Sequence, residues 1–238
     1  SAAAADDVLG VGNAYLTDYT LDLSVGSLPT ASVSFEAANI ESSAGNSIQN
    51  PAVEQSDGTA VAGAITLANA ISGTSNTIAL RPGDITVDLN AADGQTVVDI
   101  GTPDSDSAHI QSASLSIPLS RSPLERLGTK FAYARSVDFP VQATLSVSAI
   151  VNELTAAQLT SIIDDESTKT ITLTLKDEAG TDAMIYKMKG AQIVSESFSS
   201  SIGSNKTVDL TFATSLSGPN DTTNGVFVSG ANNTATFV

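Results

Sequence analysis

The sequence predicts a mainly β fold, a sandwich or partial barrel of about eight to ten strands carrying one or two short α-helices. Three observations predict it. Apolar residues alternate with polar ones, Ser and Thr foremost, in segment after segment, the period of a strand with one buried face. Helix-start signals stand out at two places, around Ser122 and around Thr155. Aromatic residues make up 5% of the chain and Trp is absent, so the interior has to be built from Val, Ile, Leu and Ala. Such a core gains less per residue than an aromatic one, which suits a protein that finishes burying its surface by assembling.

Taken in order, Tyr19, Leu21, Leu23 and Val25 alternate with Thr20, Asp22 and Ser24, and Ala31, Val33, Phe35 and Ala37 with Ser32, Ser34 and Glu36. The segment 26–30 turns between them, so the two read as an antiparallel unit with one buried face. From Glu41 to Gly83 small residues, Asn, Gly and Thr prevail, a long low-complexity excursion with weak strands inside a single domain spanning 1–238. Ile85, Val87 and Leu89 restore the alternation, and Asp93-Gly94 turns before a strand at 96–100. Leu115, Ile117 and Leu119 form the next strand; Pro118 lacks a ladder donor, which places it at an edge or a bulge.

Ser122, Pro123, Glu125 and Gly128 then stand where an N-cap, a first helical residue, a capping box and a stop belong, predicting a helix of about one or two turns. The longest strand runs from Val141 to Val151. Val141, Ala143, Leu145, Val147, Ala149 and Val151 share one face, and Gln142, Thr144, Ser146 and Ser148 the other. Thr155 and Gln158 open a second helix, stapled by Leu154 on Leu159 and ending near Asp164–Glu166. Ile171, Leu173 and Leu175 alternate with threonines, and the turn 177–180 leads into a strand at 183–188. Strands at 193–198 and 208–212 come next, joined near Ile202–Asn205.

At 238 residues the chain is long enough to bury a core in one large β domain or two small ones. Without Cys it has no disulfide framework or thiolate metal site. No run of about 18 apolar residues predicts a transmembrane helix. Ser1–Ala5 lacks the basic start and apolar stretch of a signal peptide. The net charge of −16 is unevenly spread. Residues 1–120 hold fourteen acids against Arg81, whereas 121–135 hold Arg121, Arg126, Lys130 and Arg135 against Glu125. So acidic a chain does not wrap nucleic acid, since phosphate binding needs cations, but it is compatible with letting a polyanion pass.

Residues for catalysis are few. His109 is the single histidine, precedes a strand and has no Gly-x-Ser-x-Gly elbow to serve. Asp104-Ser105-Asp106 lacks the remaining spaced oxygens of a calcium loop and reads as a polar loop. Asp164-Asp165-Glu166 lacks the aromatic platforms of a glycosidase cleft and reads as a solvated charge run. Gly10-Val11-Gly12 lacks a third spaced Gly and a following helix, so it is no nucleotide loop. No enzyme, cofactor or metal is expected. The concentration of charge that stands apart is the basic cluster, which surrounds Leu124, Leu127, Phe131 and Tyr133. Arg and aromatic residues are enriched at interfaces, so Arg121, Arg126, Lys130, Phe131, Tyr133 and Arg135 are candidate subunit-interface residues, against the plainer reading of a solvated basic face.

Three segments resemble one family. The first is Gly12–Tyr19 leading into Val25–Glu36. The second is Leu119–Gly128 with Arg135–Val141. The third is Gly190–Ile193, continued by Phe198–Lys206 and closing near Gly225–Gly230. Together they resemble the major tail tube proteins of long-tailed bacteriophages, over roughly half of the chain; residues 41–108 lie outside the resemblance. It implies a tail-tube-type β-sandwich or partial barrel. It also implies a virion structural protein made in the bacterial host cytoplasm, without enzymatic activity and not bound to a membrane. Copies would form hexameric rings, the inner strands of neighbours joining into one barrel. Rings would stack into a tail tube that meets other phage tail proteins and passes DNA during delivery. In such a tube Asp22, Gln142, Thr144, Ser146 and Ser148 are candidate channel-lining residues, as polar, cation-free strand faces. A capsid decoration subunit or another repeated virion protein, a secreted β-sandwich binding module, and a hydrolase using Asp164 or Glu166 are the rival readings. Hollow rods in electron microscopy and a glycan and ester screen separate them.

Overall fold

The computed structural model describes residues 7–45, 47–54, 58–66, 85–91, 109–128, 130–150, 168–176, 180–200 and 205–230. In chain order their strands are β1 (Asp7–Gly12), β2 (Tyr15–Ser24), β3 (Thr30–Glu36), β4 (Asn39–Ala44), β5 (Ser47–Gln49), β6 (Ala64–Thr66), β7 (Ile85–Ala91) and β8 (His109–Pro118). They continue as β9 (Arg121–Leu124), β10 (Ala134–Val137), β11 (Val141–Ile150), β12 (Lys169–Lys176), β13 (Asp182–Ser199), β14 (Thr207–Leu216) and β15 (Gly225–Gly230). The fold is mainly β, and its main sheet curls into a half-barrel.

That sheet runs β3-β2-β8-β11-β14-β13-β12-β7, with β15 pairing β13. β11 lies at its centre, antiparallel to β14 from Val141↔Leu216 to Ile150↔Thr207 and antiparallel to β8 on its other side. Alternation along the strand sorts its side chains between core and surface. Val141, Ala143, Leu145, Val147 and Ala149 are buried, and the residues between them are half-buried or exposed. Leu115, Phe212, Val208, Ile171 and Leu175 complete the driest part of the core. Each such side chain stabilises the fold by about 1.5–3 kcal/mol relative to exposure. β12 continues the pattern with Ile171, Leu173 and Leu175 inward, as the sequence predicts.

The chain divides into two compact units. One comprises residues 1–19, 33–76 and 119–138, and the other 20–32, 77–118 and 139–238. The first carries the ribbons β1-β4, β5-β6 and β9-β10. Here β1 presents Gly10 and Gly12 to the segment 48–53, and a Cβ on Gly12 would collide with the Pro51 carbonyl. Asn13, at φ 49°, donates from Nδ2 to the Val53 carbonyl at 2.7 Å and accepts from the Val53 N–H at 2.8 Å. These contacts bury Ile48 and Val53 within a stretch the sequence marks as weak strand.

Several expectations are corrected. The helix expected from Ser122 to Gly128 is a β-hairpin: Arg121–Leu124 pair with Ala134–Val137, Pro123 opposite Arg135. A capping box is worth about 1 kcal/mol and one or two turns of isolated helix are marginal, so ladder pairing wins. The helix expected at Thr155 and the strand expected at 96–100 lie outside the described residues. Pro118 is neither at an edge strand nor at a bulge. It closes the central strand β8, beyond the last residue paired with β11, Ser116. β3 has no buried face, since all seven of its residues are exposed. The strands expected at 183–188 and 193–198 are one strand of 18 residues, β13. It continues through Gly190 because glycine takes φ 65° there without a Cβ penalty, and a bulge lies just beyond, between Ile193 and Ser195.

β14 and β15 lie in line along one edge of β13, from Ser199↔Thr207 to Met184↔Gly230. The turn between them is organised by Asp221. Its carboxylate accepts from the N–H of Asn224 and Thr223, the Thr223 hydroxyl at 2.8 Å and the Ser217 hydroxyl at 2.9 Å. The Asn224 N–H, then the Thr223 and Ser217 hydroxyls, hold its pKa far below the usual carboxylate range. A depressed folded pKa adds stability that is present above the ordinary value near 4 and is lost as pH falls through the folded value. Protection of the Thr223 and Asn224 amides, measured against the intrinsic exchange rate at each pH, is therefore expected to hold from neutral pH down to about 4 and to fall progressively below it. Asp221→Asn is expected to remove that pH step. Equal pH dependence in the two proteins would refute the assignment.

Candidate assembly surface

The opposite face of β2, β8, β11 and β14 is mostly polar, with Ala213 in the Thr144 row and Ile150 at the end of β11 as apolar members. Ser114 pairs with Ser146, Ser146 with Thr211, and Thr211 with Ser195 of β13. The next row runs Ser112, Ser148, Asp209 and Ser197. On β2, Asp22 joins the first row by accepting from the Ser114 hydroxyl at 2.6 Å. Asp22, Ser114, Ser146 and Thr211 with Ser148 and Asp209 line one shallow hollow on this face. Thr144 lies opposite Ser116, and Gln142 opposite Ser215. All five candidate channel residues are thus on this one face of the sheet. Among the described residues of these rows there are two aspartates and no Lys or Arg. The sequence reading missed Ser112, Ser114, Ser116, Asp209 and Thr211. Their signal was the same alternation, but the pairing that puts β8 and β14 beside β11 is set over long sequence separations.

The basic cluster divides. Arg121 donates from Nε to the Leu16 carbonyl at 2.8 Å and from Nη1 to the Arg135 carbonyl at 3.1 Å, and lies over the Tyr15 ring. Arg135 pairs with Glu36 at 2.7 Å, with 15% of its side chain exposed against 50% for Glu36. Both arginines hold the β9-β10 hairpin within its own unit, so reversing their charge would disturb the fold as well as any interface. Arg126 and Lys130 are exposed near the hairpin tip around a fully exposed Leu127, and Lys130 lies over the half-buried Phe131. The Tyr133 N–H donates to the Leu124 carbonyl at the head of the hairpin.

His109 opens β8, while Asp104, Asp106 and Asp164–Glu166 lie outside the described residues. Among the described residues no group of three or more His, Asp or Glu is placed to hold a metal ion.

No family model matches the sequence, and no curated protein does. Among the solved structures similar to this chain are parts of tails and tubes. One is the tail of an empty GTA particle, refined with C6 symmetry: 13% identity over 62% of this chain and 96% of that one, with a TM-score of 0.41. Another is the PVC sheath-tube complex of an extracellular contractile injection system: 15% identity, 69% and 100% coverage, TM-score 0.44. A third is the anti-feeding prophage cap, which terminates a tube: 14% identity, 69% and 100% coverage, TM-score 0.44. Likeness at this level is silent on residue roles, which are read from this chain's own faces and edges.

The geometry separates the two members of the ion pair. Glu36→Gln is expected to cost no more than about 1 kcal/mol, because the carboxylate is half-exposed and screened. Arg135→Ala removes the packed stem as well and is expected to cost clearly more, about 1–3 kcal/mol. Chemical denaturation measures both; equal losses would contradict the packing role.

Proposed function

We propose that this chain is a structural subunit of a phage-type tail tube, and that copies of it form stacked hexameric rings around a channel that passes DNA. One observation carries the reading: a sheet with one dry face and one mostly polar face whose rows around Ser146 and Ser148 hold aspartates and no Lys or Arg among the described residues. A conduit has to pass a polyanion without pausing. Lys and Arg on its wall would trap phosphates by releasing counterions, whereas hydroxyls and carboxylates leave the duplex mobile. The polar face of β2, β8, β11 and β14 is the proposed channel wall, with Asp22, Gln142, Thr144, Ser146 and Ser148 upon it.

In this reading Arg126, Lys130 and Phe131 at the hairpin tip serve contacts between subunits, with Arg121, Tyr133 and Arg135 shaping the hairpin that presents them. An acidic chain offers such cations partners on its neighbours. The protein works without a cofactor, meets itself and other tail proteins, and resides in the virion after synthesis in the host cytoplasm.

Negative-stain microscopy of the concentrated protein and of its particle of origin tests the reading. Rings and hollow rods are the expected result; a strict monomer in sedimentation at every concentration would remove it. The channel is tested separately. Assembled protein is expected to leave a labelled DNA duplex unshifted at low salt, and the Ser146→Lys, Ser148→Lys variant to retain it. Ring coordinates with Lys130 in the channel, or duplex retention by the unsubstituted assembly, would overturn the assignment.

A further inference from the structure

Asn224-Gly225 is the one Asn-Gly step in the sequence. In a flexible chain such a step is chemically weak. A base takes the proton from the glycine nitrogen, which attacks the asparagine Cγ. A bond forms between Gly225 N and Asn224 Cγ, the Cγ–Nδ2 bond breaks, and Nδ2 leaves with a proton as ammonia. Water then opens the succinimide ring at either of its two carbonyls, giving aspartate or isoaspartate. Glycine favours ring closure because it has no Cβ to obstruct the approach.

The fold restrains both reacting groups. Gly225 is buried at the start of β15, and its N–H donates to the Thr214 hydroxyl oxygen at 3.2 Å. That hydroxyl is itself fixed, since Thr214 is 2% exposed and donates to the Lys189 carbonyl at 2.6 Å. The attacking nitrogen is thus occupied by a buried acceptor and kept from a base in solvent. Asn224 is held at three points. Its N–H donates to the Asp221 carboxylate at 3.0 Å, and its Nδ2 to the Thr223 hydroxyl at 3.3 Å. Its Oδ1 lies so close to Gly190 that a Cβ there would collide with it. Gly190 follows Lys189, the register partner of Gly225, so the amide is lodged against β13. Ring closure needs the Gly225 nitrogen released from Thr214, which the folded junction opposes.

We infer that Asn224-Gly225 is a latent deamidation site, and that Thr214 together with the Asp221 turn keeps it closed while β13, β14 and β15 stay paired. The reaction runs through local opening, so its rate follows how often the junction opens. The site belongs to the single chain and does not depend on assembly. The damage goes beyond an added charge. Isoaspartate carries the main chain through its own Cβ and lengthens it by one methylene. That displaces Gly225 from Lys189, and with it the register of β15 on β13.

The unsubstituted protein, folded and unfolded in urea, is incubated side by side at mildly alkaline pH. Peptide mass spectrometry with fragmentation reads conversion at Asn224. The folded chain is expected to convert at least about tenfold more slowly, because the site reacts only when it opens. Equal rates would overturn the closed site. Thr214→Val keeps the side-chain shape and removes the acceptor. It is expected to raise the folded rate about two- to tenfold, the range of one lost hydrogen bond. Thr214→Ser keeps the hydroxyl and is expected to leave the rate unchanged; a rate as high as that of Thr214→Val would assign the effect to packing and overturn the hydroxyl's part. Should Thr214→Val fail to fold by circular dichroism, Asp221→Ala, which releases the Asn224 N–H, takes its place with the same expectation. A folded variant of either kind that converts as slowly as the unsubstituted chain would overturn the role given to the junction.

Discussion

A single sheet with one dry face is the constraint on which the rest of the main sheet depends. β11 sits at its centre with Leu145 fully buried, and its two neighbours are fixed to it residue by residue. Because successive side chains alternate, burying Val141, Ala143, Leu145 and Val147 forces Gln142, Thr144, Ser146 and Ser148 onto the other side. A register slip of one residue would send the whole apolar set into water. The polar face is therefore not a separate design feature; it is the consequence of the core.

β13 changes partners along its length: its first half is flanked by β12 and β15, its second by β14 alone among the described residues. Gly190 and the bulge at Val194 mark the change of partners. Thr214 ties the junction, donating to the Lys189 carbonyl at 2.6 Å and accepting from the Gly225 N–H. The Asp221 turn closes the connection between β14 and β15.

The smaller unit is held differently. Its ribbons bury few large side chains and depend on side chain-to-backbone hydrogen bonds, Asn13 to Val53 and Arg121 to Leu16 and Arg135. On its β1-β4 ribbon Leu9, Val11 and Ile40 share the exposed face, while Gly10 and Gly12 take the packed one. Cations that looked like surface charge in the sequence turn out to be structural here, because a guanidinium can satisfy several carbonyls at once.

Legible from the residues alone were the class of fold, the strands β2, β3, β7, β8, β11, β12 and β14, the inward residues of β11 and β12, and the polar character of the channel candidates. All of these come from period-two alternation, which is local. Tertiary contacts governed whatever depends on partners. Pairing with Ala134–Val137 turned a capped helix signal at Ser122–Gly128 into a hairpin. Pairing with β13 made a strand of Gly225–Gly230, whose short apolar run between glycines carries no alternation. The glycine-rich β1 became a strand through β4 and the close approach of Pro51. Which serines join Ser146 and Ser148 in one row, and which edges stay open, were set by contacts between residues tens of positions apart, and no local pattern encodes those.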